Sequence, residues 1–138
     1  MRTTKGIVVL LVATLALAAC SSGEEGTSGQ ADGDAGWTRI GAQELSEMMT
    51  AEDVYLVNVH VPYEGEIPGT DAHISYTDIA SQLDQLPTSG DPTLVIYCRS
   101  GNMSTTAAQE MVAAGATGFY ELEGGYLAWQ AAGLPFDI

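Results

Sequence analysis

The sequence predicts an α/β fold, and three observations carry that expectation. From Trp37 to Ile138, short runs rich in β-branched and aromatic residues alternate with helical periodicities, the order in which strands and crossover helices build a sheet. Two of the runs, Val54 to Val59 and Thr93 to Tyr97, are almost wholly apolar, as strands covered on both faces are. Hydrophobic residues make up 46% of the 138, enough for one core and too much for a disordered chain.

The elements follow in order. Thr38 to Ile40 reads as a short first strand, and Ala42, Leu45, Met48 and Met49 fall on one face of a first helix. Val54 to Val59 is the second strand and Ala72 to Ser75 a weaker third. Ile79, Leu83 and Leu86 are spaced for a second helix that Pro87 stops. Thr93 to Tyr97 is the fourth strand. A helix from Ser104 to Ala114 follows, with Ala107, Ala108, Met111 and Val112 as a narrow apolar stripe and Gly115 at the left-handed position past its end. Gly118 to Tyr120 makes a fifth strand. A last helix, Tyr126 to Ala132, ends at Gly133 with Pro135 beyond.

The first 36 residues stand apart from this pattern. Arg2 and Lys5 precede an apolar run from Ile7 to Ala19 that closes in Leu17-Ala18-Ala19-Cys20, a secretory signal too short to span a bilayer. The closing four residues resemble a bacterial lipobox. That resemblance implies a signal peptide over 1–19, a diacylglycerol on the Cys20 sulfur, and a protein lipid-anchored in the cell envelope, on the outer face of the cytoplasmic membrane or in a periplasm. A plain secretory signal or an uncleaved N-terminal anchor is the alternative. Residues 21–36 hold no large apolar side chain and read as a flexible tether, with a root-mean-square span of about 20 to 25 Å. The folded domain is expected over 37–138.

Charge narrows the function classes. The chain carries 18 acidic against 4 basic residues, a net charge of −14, which repels anionic partners and disfavours nucleic-acid binding. Cleavage before Cys20 would leave 119 residues, with Arg39 and Arg99 as the fixed cations and a formal charge of −16. Such acidity fits high salt, low pH or simple solubility equally.

The informative segment joins the fourth strand to the following helix and reads Cys98-Arg99-Ser100-Gly101-Asn102-Met103-Ser104. Ligands of parallel α/β sheets sit at the carboxyl ends of strands. A cysteine there, ahead of a glycine-bearing loop and a helix N-terminus, faces backbone N–H donors and the positive end of a helix dipole, conditions that favour thiolate over thiol. A small buried hydrophobe is the plainer reading of a lone cysteine after an apolar strand.

This loop resembles that of the rhodanese family, in which a strand leads to a cysteine heading a six-residue loop of the type Cys-Arg-Ser-Gly-Asn-Arg and then a helix. Downstream, Ala113-Ala114-Gly115, Phe119-Tyr120, Leu122-Glu123-Gly124-Gly125-Tyr126, Ala128-Trp129 and Ala132-Gly133-Leu134-Pro135 keep the family's order, and upstream so does Ile67-Pro68-Gly69. The resemblance covers Trp37 to Ile138. It implies a rhodanese-like α/β fold: a small five-stranded, mostly parallel sheet with helices on both faces. Two places depart from the family pattern. Met103 stands where many members have arginine, and Val57-Asn58-Val59-His60 stands where Asp-Val-Arg is common, with Thr70-Asp71-Ala72 adding residues before the third strand.

The resemblance implies sulfur transfer. A Cys98 thiolate takes the outer sulfur of a donor such as thiosulfate or a persulfide, and a thiophilic acceptor, a small thiol or a protein, removes it, with no cofactor. Arg99 would stabilise substrate or thiolate, with a salt bridge to a nearby carboxylate as its alternative role. Ser100, Gly101, Asn102 and Met103 would act mainly through backbone N–H groups, and Ser104 completes the expected substrate-binding loop. His60 falls at the same sheet edge and either assists proton transfer, binds an anion or caps a loop. His73 is expected to be structural. The two histidines and Cys98 have no metal-ligand spacing, and the mature domain, with Cys98 as its one unlipidated thiol, can form no internal disulfide and is expected to be a monomer. A tyrosine phosphatase is disfavoured, because its Cys-x5-Arg loop would need arginine at Ser104. A non-catalytic envelope module that binds, carries or senses sulfane sulfur is the rival reading.

Overall fold

The computed structural model describes residues 36–138; the expected lipobox with Cys20 and the expected tether up to residue 35 lie outside the described residues. Strands β1 (Trp37–Ile40), β2 (Val54–Asn58), β3 (Ala72–His73), β4 (Thr93–Tyr97) and β5 (Phe119–Leu122) form one sheet in the order β1-β5-β4-β2-β3. Every pairing between these strands is parallel. Helices α1 (Ala42–Ala51) and α2 (Asn102–Ala113) and a 3₁₀ segment (Ile79–Gln85) lie in crossovers between strands, and helix α3 (Gly125–Ala131) follows the last strand. The expected five-stranded α/β architecture is what the chain adopts.

The period-two alternation of the central strands sorts their side chains into two cores. Val57, Leu94, Ile96 and Cys98 meet Ala107, Ala108 and Met111 of α2 and Ile79 of the 3₁₀ segment on one face. Leu56, Val95, Tyr97 and Leu122 meet Leu45 of α1 and Tyr126 and Trp129 of α3 on the other. Large side chains buried this completely each contribute about 1.5–3 kcal/mol. Because β4 pairs with β2 from Val54↔Thr93 to Asn58↔Tyr97 and with β5 at Val95↔Tyr120 and Ile96↔Glu121, Cys98 emerges mid-edge, between the ends of β2 and β5.

Four expectations shift. The helix expected from Ile79 is 3₁₀ and breaks at Gln82 (φ −116°, ψ 19°), while Ile79 and Leu86 are buried and Leu83 packs against the core as the expected stripe requires. Helix α2 starts at Asn102 rather than Ser104, because Gly101 takes a left-handed conformation (φ 99°) that lets the helix begin directly after the loop. The third strand stops at His73 instead of Ser75. Strand β5 runs on to Leu122 instead of ending at Tyr120, and it carries a charged residue, Glu121, into the interior.

Candidate active site around Cys98

Cys98 is the residue after β4 and shares the α2 face with Leu94 and Ile96. It is 1% exposed, so the thiol lies at the floor of its loop while Arg99 and Ser100 stand in solvent. The Gly101 N–H donates to Cys98 Sγ at 3.0 Å. The first α-helical bond of α2 runs from the Thr105 N–H to the Gly101 carbonyl. The N–H groups of Asn102, Met103 and Ser104 therefore lie in a first turn that offers no intrahelical acceptor and no side-chain cap. A sulfur anion above Cys98 would meet these donors and the helix dipole together.

The loop is fixed from the α3 side by two backbone bonds, Tyr126 N–H to Cys98 O at 2.9 Å and Leu127 N–H to Arg99 O at 3.0 Å. That approach requires glycine at 125. A Cβ there would lie 2.3 Å from the Cys98 carbonyl oxygen and 2.5 Å from the Arg99 carbonyl, and φ is +59°.

A second cluster grows from the end of β2. Asn58 is buried, donating to Gly65 O at 3.1 Å and accepting the His60 N–H at 3.0 Å, which folds residues 60–65 back over the edge. His60 follows, 7% exposed. Its Nε2 donates to Glu64 Oε2 at 2.5 Å, its ring lies edge-on to Tyr126, and its Nδ1 is buried with no hydrogen-bond partner among the described residues. Glu64 Oε2 also accepts the Tyr126 hydroxyl at 3.1 Å and lies 3.8 Å from Arg99 Nε. The His60 bond first, then the Tyr126 hydroxyl, hold the Glu64 carboxyl below its usual value against a smaller opposing effect of burial. Arg99 thus has the carboxylate neighbour that sequence reasoning named as its alternative role, across a long and half-exposed pair of the kind that contributes little to stability. His73 supports the cluster from β3, its Nε2 2.6 Å from the His60 carbonyl.

Beneath the loop, Ser104 is fully buried and its hydroxyl donates to Glu121 Oε1 at 2.8 Å. Glu121 also accepts from Thr105 Oγ1 at 2.8 Å, Trp37 Nε1 at 2.9 Å and Arg39 Nε at 3.2 Å. The expected contribution of Ser104 to substrate binding is accordingly confined to its backbone; its side chain belongs to the scaffold. Met103 packs against the α2-side core, so the position that is arginine in many family members is an inward apolar contact in this protein. Among the described residues, no three His, Cys, Asp or Glu side chains are grouped to hold a metal ion.

The profile of the rhodanese-like domain matches residues 41–132. The chain belongs to the rhodanese-like family. A thiosulfate sulfurtransferase of Pseudoalteromonas translucida is 32% identical over 96 residues, covering 67% of this chain and 89% of that protein. An uncharacterised protein of Synechocystis is 39% identical over 98 residues, covering 70% of this chain; the match spans about half (54%) of the Synechocystis protein. The crystal structure of a rhodanese-related protein from Thermoplasma volcanium superposes with a TM-score of 0.59 at 25% identity, covering 71% of this chain and 95% of that one.

Within this rhodanese-like domain, the structure gathers Cys98, Arg99, Gly101 and, through Glu64, His60 at one edge. Sequence reasoning missed Glu64, Tyr126, Gly125 and Glu121 as parts of the site. Glu64 stands four residues after His60, a spacing visible in the sequence. Its contact with Arg99, 35 positions away, arises only when β2 and β4 pair.

Proposed function

We propose that the domain is a sulfurtransferase whose nucleophile is Cys98. The observation that carries this reading is the Gly101 N–H aimed at Cys98 Sγ at 3.0 Å, at the head of an uncapped helix and the carboxyl end of the central strand. The relationship to a protein named as a thiosulfate sulfurtransferase supports it. The Cys98 thiolate attacks the outer sulfur of the donor; the donor's S–S bond breaks, and its electron pair leaves with sulfite or a thiolate. Asn102, Met103 and Ser104 offer N–H groups to the persulfide anion, stabilising charge without a cofactor. An acceptor nucleophile then takes the outer sulfur and returns the electron pair to Cys98. The transferred sulfur stands about 2 Å beyond Sγ, which brings it from the loop floor towards the rim where an acceptor can reach it.

The test is intact mass after incubation with thiosulfate or a persulfide, followed by cyanide. One added sulfur that Cys98→Ser abolishes and that cyanide removes with turnover supports the reading. Uptake without turnover would make the domain a carrier, and no uptake would defeat both.

The lipobox-like Leu17-Ala18-Ala19-Cys20 supports a further part of the proposal: the domain works at a membrane surface in the cell envelope, held by lipid on Cys20. The chain should partition with membranes and Cys20→Ser should release it or block its processing. Equal membrane association of both forms would overturn the anchor.

A further inference from the structure

The cation beside the nucleophile is already matched by an anion. Arg99 is the one arginine or lysine on this edge among the described residues, since Arg39 pairs with the buried Glu121 through its Nε. Glu64 lies 3.8 Å from Arg99, and Met103 supplies no second charge. Arg99 and Glu64 are each about half-exposed, so Arg99 can swing free. Glu64 cannot follow, because the buried His60 ring and the Tyr126 hydroxyl hold the same carboxylate oxygen at 2.5 and 3.1 Å. Tyr126 is in turn bonded to the Cys98 carbonyl through its own N–H. A fixed negative charge therefore borders the loop whatever Arg99 does.

We infer that Glu64 determines donor specificity, disfavouring dianionic thiosulfate in favour of a thiol-derived persulfide in its neutral, electrophilic form, R–S–SH. This rests on the sulfur-transfer reading of Cys98. In the favoured reaction the Cys98 thiolate bonds to the terminal sulfur of R–S–SH and the donor S–S bond breaks. The electron pair leaves as RS⁻, and the proton stays on the transferred sulfur as Cys98–S–SH. Thiosulfate loading instead brings two negative charges to a thiolate whose loop a carboxylate borders. In water-like surroundings, one charge about 6 Å from a dianion changes its local concentration about tenfold.

The experiment measures second-order loading of Cys98 by intact mass, with the whole chain, using thiosulfate and an alkyl hydropersulfide. Glu64→Gln should raise the ratio of thiosulfate to persulfide loading about tenfold, and Glu64→Asp, which keeps the charge, should stay near the wild-type ratio. Moderate salt should speed thiosulfate loading of the wild type, and less so of Glu64→Gln. If both donors load Cys98 but Glu64→Gln leaves the ratio and the salt response unchanged, the specificity role is wrong and sulfur transfer stands. If neither donor loads Cys98 in any form, the sulfur-transfer reading falls and takes this inference with it. Should Glu64→Gln fold poorly, the salt response of the wild type decides: thiosulfate loading that only declines with salt overturns the inference.

Discussion

The Trp37 indole donates to the Glu121 carboxylate at 2.9 Å across 84 residues of sequence, with both side chains out of solvent. The bond joins the edge strand β1 to β5. Through the Ser104 and Thr105 hydroxyls it reaches the first turn of α2, and so the base of the Cys98 loop. A buried charge is tolerated there because donors surround it, Arg39 among them.

Removing that acceptor strands its donors. Glu121→Ala should lower unfolding free energy by about 3–5 kcal/mol, the range for breaking a buried ion pair on one side. Glu121→Gln, which keeps the shape, should cost less, about 1–3 kcal/mol. Urea unfolding measures both, and equal costs would mean the charge is immaterial.

Cys98→Ser places a hydroxyl where the thiol accepts the Gly101 N–H. Stability should change by no more than about 1 kcal/mol, while sulfur uptake disappears. Unfolding of the variant would identify Cys98 as a core residue first and a nucleophile second.

Gly125→Ala brings a methyl group into the Cys98 and Arg99 carbonyls at a positive φ. The combined clash and strain should cost at least about 1–3 kcal/mol, and the loop must move off α3 to relieve them. Slower sulfur loading of whatever fraction remains folded is the expected readout. Unchanged loading would show that the α3 contact does not set the loop.

Tyr97 contributes to the alkaline pH dependence of stability. Its hydroxyl accepts the Ile67 N–H at 3.0 Å and lies 2.7 Å from Thr70 Oγ1, and burial pushes its ionisation from 10.0 up to about 12. The folded value is raised, so the stabilisation is complete below pH 10 and is lost as pH rises towards about 12, an alkaline loss of about 2–3 kcal/mol. Tyr97→Phe should flatten that limb of the pH–stability profile while costing about 1 kcal/mol at neutral pH. A profile with the same alkaline limb in both proteins would assign it to another tyrosine.

The sequence alone determined the α/β class, the positions of β2 and β4 and the place of Cys98 at the head of the loop between β4 and α2. Almost wholly apolar runs and a Cys-x-x-Gly loop before an amphipathic helix are local patterns with few structural outcomes. Even within these limits, Ile79–Gln85 became 3₁₀ with a break at Gln82, although Ile79, Leu83 and Leu86 still face the core. Tertiary structure decided what surrounds the thiol. Glu121 looks like a solvent-facing strand end in sequence, yet strand register places it inside, opposite Arg39 and under Ser104. Glu64 sits in a loop with no periodicity of its own, and only the parallel pairing of β2 with β4 sets it beside Arg99. Local patterning fixes which residues can be nucleophile or strand, because it is written in neighbours along the chain. The charges around Cys98 come from segments far apart in the chain, Arg39 and Glu121 being 82 positions apart and Glu64 and Arg99 35, and their meeting is a property of the packed sheet.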